Sequence, residues 1–179
     1  MFRFMESLLL PTFLTSLLAI LAIALAGCAG YKLGPTNGIP AGSRSVQVRA
    51  FVNRTQEPRI GEYLASSFRK ALQQDGTFRI ETGGAADIFV SGEIERFDRS
   101  ELSYTTNDVL TPQAYVVTLV ARVVAVDAGT GKTNLNRRVQ GRTYMRIGND
   151  QSSAQRQATP LLTDDLARNA VSALVDGTW

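Results

Sequence analysis

The sequence predicts an α+β fold: a two-layer sandwich with two helices packed on one face of a mainly antiparallel sheet, in the order β-α-β-β-β-β-α. Three observations carry this. Ser45–Val52 alternates apolar and polar residues as a half-buried strand does. Ile60, Leu64, Phe68 and Leu72 recur every four residues, the spacing of one helix face. Gln113–Asp127 carries seven Val and Leu residues, enough to line both faces of a central strand.

The elements follow in order. In the first strand Val46, Val48, Ala50 and Val52 share one face, and Gln47, Arg49 and Phe51 the other. Asn53–Pro58 is polar and contains proline, so it is a loop. The helix after it places Ile60, Leu64, Phe68 and Leu72 in the core and stops at Gly76. Phe78–Glu81 is a short strand, and Ile88–Phe97 is a longer one with Ile88, Val90 and Ile94 inward. Asp98–Pro112 is polar and reads as an extended excursion or the end of a long hairpin. Gln113–Asp127 is the strongest strand and is expected to be covered on both sides. Asp127–Lys132 is a turn, and Thr133–Ile147 is the returning strand. Ser152–Val175 is helical, with Leu162, Leu166, Ala170 and Leu174 as its stripe and Asp164 and Asp165 outside it. Pro160 either starts this helix, with Thr159 as cap, or lies within a longer one.

Ahead of the domain, Ser7–Ala26 is almost wholly apolar, long enough to span a bilayer. Its end argues for removal instead. Leu25-Ala26-Gly27-Cys28 resembles the bacterial lipobox, and small residues before the cut site are the usual geometry of a cleaved leader. Residues 1–27 are therefore expected to be a lipoprotein signal peptide. Cys28 is the site of lipid attachment, residues 28–44 the tether, and residues 45–179 a single domain. Cys28 is the only cysteine of the 179 residues, so lipidation also removes a reactive unpaired thiol. Several acyl chains on one residue anchor durably, each buried methylene contributing about 0.8 kcal/mol. Ala29 lacks the acidic cue that the lipoprotein resemblance associates with inner-membrane retention, which implies the outer membrane and its periplasmic face.

Composition narrows the chemistry. The chain has no histidine and one cysteine, so histidine-dependent catalysis, histidine-ligated metals, intramolecular disulfides and cysteine-cluster zinc sites are excluded. Gly129-Thr130-Gly131-Lys132 lacks the spacing and following helix of a phosphate loop. Glu93 with Glu95, and Asp164 with Asp165, are paired acids, but nothing marks either pair as an acid beside an ionised partner, and solvated surface is the expectation. No catalytic residue, metal or dissociable cofactor is expected.

The informative polar feature is the returning strand. From Lys132 to Arg146 it holds Lys132, Arg137, Arg138, Arg142 and Arg146 and no acid. Period two places Arg138, Arg142 and Arg146 on one face with Tyr144, and Arg137 on the other. A row of guanidinium groups suits phosphate or carboxylate anions; the alternative is a charged edge that blocks sheet-to-sheet pairing. Nucleic acid is not a sensible partner for an exported lipoprotein.

Cys28 is followed by Gly30-Tyr31-Lys32-Leu33, a proline-containing tether, and Val46-Gln47-Val48-Arg49-Ala50-Phe51-Val52-Asn53. Then come Leu72-Gln73-Gln74-Asp75-Gly76, Ala86-Asp87-Ile88-Phe89-Val90-Ser91-Gly92-Glu93-Ile94, a long hairpin and a closing helix with Asp165-Leu166-Ala167. This pattern resembles the lipopolysaccharide-assembly lipoprotein family, LptE, over essentially the whole mature chain. The resemblance implies a non-enzymatic outer-membrane lipoprotein that plugs the β-barrel LptD, assists its assembly and contacts lipopolysaccharide. It also implies a covalent diacylglycerol and N-acyl chain on Cys28, the membrane being engaged through that anchor. On this reading Lys132, Arg138, Arg142 and Arg146 are the inferred lipopolysaccharide-binding residues, assigned from their own pattern. Phe51-Val52-Asn53-Arg54-Thr55 and Asp75-Gly76-Thr77-Phe78-Arg79-Ile80 are also similar to CsgG/LpoB-type periplasmic lipoproteins of secretion pores or peptidoglycan-synthase activation. The long hairpin with a basic arm favours the first family. A carboxylate-dependent cell-wall hydrolase would instead need two acids facing across a cleft.

Overall fold

The computed structural model describes residues 40–105, 108–147 and 150–177. The expected leader, Cys28, most of the tether and Trp179 lie outside the described residues. The elements are β1 (Ser45–Asn53), α1 (Ile60–Asp75), β2 (Arg79–Ile80), β3 (Ile88–Thr105), β4 (Asp108–Asp127), β5 (Thr133–Arg146) and α2 (Gln151–Val175). The sheet runs β2-β1-β3-β4-β5. Its long ladder, β3-β4-β5, is antiparallel, while β1 pairs in parallel with both β2 and β3. Both helices lie on one face, so the predicted α+β sandwich is the fold.

The core forms where that face meets the helices. Ile88, Val90, Ile94, Leu119, Ala121 and Val123 are buried against Leu64, Phe68 and Leu72 of α1 and Leu162, Leu166 and Leu174 of α2. Fully burying a leucine or phenylalanine contributes about 1.5–3 kcal/mol. The polar Asp98–Pro112 segment resolves into a hairpin end, because β3 and β4 stay paired as far as Tyr104 and Pro112, with register shifts after Glu101.

Two expectations change. In β1 a bulge between Val48 and Phe51 inverts the alternation: Phe51 is buried and Val52 is 51% exposed. One inserted residue exchanges the faces of everything after it. The inverted Phe51 ring packs on Gly92 of β3, where an added Cβ would sit 2.9 Å from Phe51 Cε1. Second, β4 has helices on one side only. On its other face Val116, Val124 and Val126 are half-buried. Of the two alternatives at Pro160 the structure takes the longer helix: α2 begins at Gln151, so Pro160 lies inside it. Asp150 is the cap, its carboxylate accepting from the Ser152 and Ser153 N–H groups at 3.0 Å each.

α1 starts from Arg59, which adopts a left-handed conformation (φ 58°), and ends at Gly76 (φ 75°), whose N–H donates to Leu72 O. Asn53 orders the polar loop before it. Its Oδ1 accepts from the Thr55 N–H at 2.9 Å, and its Nδ2 donates to Glu57 O at 2.7 Å. Between the helices Ser67 and Thr163 share a buried hydroxyl hydrogen bond of 2.9 Å.

Candidate functional site

β5 is the border strand of the sheet, and its register on β4 fixes where each basic side chain goes. Arg138 stands opposite Arg122, Arg142 opposite Thr118, Tyr144 opposite Val116 and Arg146 opposite Ala114. Val139, Gly141 and Met145 between them are buried under α2. Arg138, Arg142, Tyr144 and Arg146 thus share the sheet face that the helices leave open, as the period-two reading required. Four residues of strand separate successive arginines by about 13 Å.

The three arginines differ electrostatically. Arg138 donates to Glu95 Oε2 at 2.6 Å, and Arg122 approaches the other oxygen of the same carboxylate at 3.3 Å. The hydrogen bond from Arg138 holds the Glu95 carboxyl below its usual range, and Glu95 in turn raises the Arg138 guanidinium. Arg142 and Arg146 have no carboxylate partner among the described residues. Tyr144 lies between them and is 74% exposed. Lys132 stands apart, in the turn before β5, where its carbonyl accepts from the Asp127 N–H at 2.9 Å. Arg137 is exposed and points to the helix side of the strand. The structure therefore groups Arg142, Tyr144 and Arg146 as an open basic patch, pairs off Arg138, and leaves Lys132 outside it.

The paired acids are not simply solvated. Glu93 pairs with Arg54 at 2.8 Å and Glu95 with two arginines. Asp164 receives Lys70 at 2.6 Å, and Asp165 accepts the backbone N–H of Arg142 at 2.9 Å. Each carboxylate thus has a cationic or amide partner within the fold. Sequence reasoning missed Arg122 and Asn169. Arg122 shares the open face by β4 parity, but only the register reveals that Glu95 bridges it to Arg138. Among the described residues no group of three acidic side chains could hold a metal ion, and no helix is long and apolar enough to cross a membrane.

A five-stranded mixed sheet with one helical layer and a basic border strand defines a small two-layer α+β domain. The sequence model of the LptE lipopolysaccharide-assembly family matches residues 43–176, and the chain belongs to that family. The fold is shared with a protein from Xanthomonas campestris at 11% identity and a TM-score of 0.56, covering 80% of this chain and 91% of that one. It is also shared with a hypothetical protein from Chlamydia trachomatis at 12% identity and a TM-score of 0.52, covering 74% of this chain and 98% of that one. No curated protein matches the sequence.

Proposed function

We propose that this lipopolysaccharide-assembly protein is acylated on Cys28, is held at the periplasmic face of the outer membrane, and works without catalysis. Its task is to plug the LptD β-barrel and assist that barrel's assembly while meeting lipopolysaccharide on its way outward. Arg142 and Arg146 contact the phosphates, Tyr144 packs between them, and Arg138 and Lys132 add positive potential at the margins.

The observation that supports this reading, beside family membership, is the imbalance on the open face. Glu93, Glu95 and Asp98 each have an arginine, while the guanidinium groups of Arg142 and Arg146 have no acid among the described residues. Unpaired guanidinium groups on a rigid strand bind phosphate by charge-assisted, bidentate hydrogen bonds. At an exposed site such contacts contribute roughly 1 kcal/mol each, so reversing both charges weakens binding about thirtyfold or more.

The test is lipopolysaccharide binding by the full chain in mild detergent, comparing wild type, Arg142→Glu/Arg146→Glu and Arg137→Glu. The double variant loses affinity, and Arg137→Glu, which faces the other way, keeps it. Equal losses in both would reduce the patch to net charge, and no loss in the double variant would remove lipopolysaccharide from this face.

A further inference from the structure

A border strand exposes one row of backbone groups. In β5 the odd-numbered residues face β4, as the Ile147 N–H to Gln113 O bond of 2.9 Å indicates, so the even-numbered residues point outward. Two groups of that outward row are occupied by α2. Asn169 Nδ2 donates to Gln140 O at 3.0 Å, and Asp165 Oδ2 accepts from the Arg142 N–H at 2.9 Å. Gly141 lies between them, where its missing side chain admits the helix backbone at Leu162 and Leu166. The outward groups of Arg138, Tyr144 and Arg146 have no partner among the described residues.

We propose that the β5 edge is a latent pairing surface for a second copy of this chain, held closed by Asp165 and Asn169. Two β5 edges meeting antiparallel about Gly141 would set Gln140 opposite Arg142, Arg138 opposite Tyr144, and Asn136 opposite Arg146. No arginine then faces an arginine, and Arg138 meets an aromatic ring, a favourable cross-strand pair. Sliding by two residues either way sets Arg142 opposite its own copy or opposite Arg138, which like-charge repulsion disfavours. The basic side chains therefore leave the best register open. Its central hydrogen bonds would run between Gln140 C=O and Arg142 N–H, the two groups that α2 takes. An incoming strand, about 4.8 Å away, would also collide with the Asp165 and Asn169 side chains.

The test uses the full chain in mild detergent, with protein mass read by light scattering after size exclusion. Asp165→Ala/Asn169→Ala is expected to double the protein mass per particle relative to wild type, increasingly at higher concentration. Adding Tyr144→Pro to that variant should return it to the wild-type mass. Proline removes an outward N–H that would donate to Arg138 of the second copy, and it spares the β4 ladder. A double variant that keeps the wild-type mass overturns the proposal. So does a doubled mass that survives Tyr144→Pro, since association would then use another surface or an unfolded one.

Discussion

Adding one methyl group at Gly141 perturbs the seam between α2 and β5 without changing charge. The new Cβ would lie 2.7 Å from Leu162 O and 2.7 Å from Leu166 Cβ, both within one turn of α2. Neither is the loose end of a side chain, so the helix itself must lift by several tenths of an ångström. Overpacking of this kind costs about 1–3 kcal/mol. Against it, Gly141 is not among the positive-φ glycines, so alanine regains roughly 0.4–1 kcal/mol by restricting the unfolded chain. The lift also stretches the Asn169–Gln140 and Asp165–Arg142 hydrogen bonds, each contributing about 1 kcal/mol. Packing wins, and Gly141→Ala should be destabilised by about 2–4 kcal/mol. For a domain of this size that lowers Tm by roughly 6–12 °C. Urea unfolding followed by circular dichroism measures it, with Gly129→Ala as control. Gly129 has ordinary contact space, its nearest neighbour being Asp127 Oδ1 at 3.6 Å, and should change by less than about 0.5 kcal/mol. If Gly141→Ala matches wild type within that margin, the close approach of helix and strand is wrong.

The remaining predictions concern acid stability, the core and the anchor. Asp127 has its carboxyl lowered from 3.8 to about 2 by the Thr130 N–H and hydroxyl and by Arg44. A depressed folded pKa stabilises above the unfolded value and is lost on acidification, so the wild-type urea midpoint should fall from about pH 4 toward pH 2. Asp127→Asn should flatten that limb, and parallel curves for the two proteins would refute the assignment. Leu166→Ala removes a fully buried side chain beneath Gly141 and should cost about 2–5 kcal/mol in the same unfolding assay. Cys28→Ala should leave the precursor uncleaved at this position and free of metabolically labelled fatty acid, and label on the variant would place the anchor elsewhere. Purification of the tagged protein from mild detergent should bring down a large β-barrel; a peptidoglycan synthase in its place would favour the CsgG/LpoB-type reading.

Periodicity made most of the fold legible. The α1 stripe and the inward residues of β3 lie where their spacing put them, because each segment buries one face against one layer. The failures have physical causes. The β1 bulge leaves no mark in Val48-Arg49-Ala50-Phe51-Val52, so unbroken alternation put Ala50 and Val52 on the face of Val46 and Val48 and Phe51, whose ring needs the space above Gly92, on the other. At Pro160 the pattern allowed either a helix start or a longer helix, and the choice is made by Asp150, which with its two serines caps the helix nearly three turns earlier. At the candidate site, parity alone placed Arg138, Arg142 and Arg146 on one face. It could not show that Glu95 neutralises the first of them, because that contact depends on how β3 and β5 both align with β4. Asp165 was misjudged as solvated for the same reason: its partner is a backbone amide on another element.

The entry of the chain into the sheet has a mechanical consequence. Ser45 N–H and hydroxyl both bind the Asp87 carboxylate at 2.7 Å, and Arg44 is ion-paired with Asp127. Directly behind them β1 lies between two parallel neighbours, in the interior of the sheet. A pull arriving along the tether would therefore load the β1 hydrogen bonds in shear, all together, where an edge strand peeled from its end would yield them singly. Traction on a domain leashed at its amino end would be borne by an interior strand, and the knob would resist unravelling.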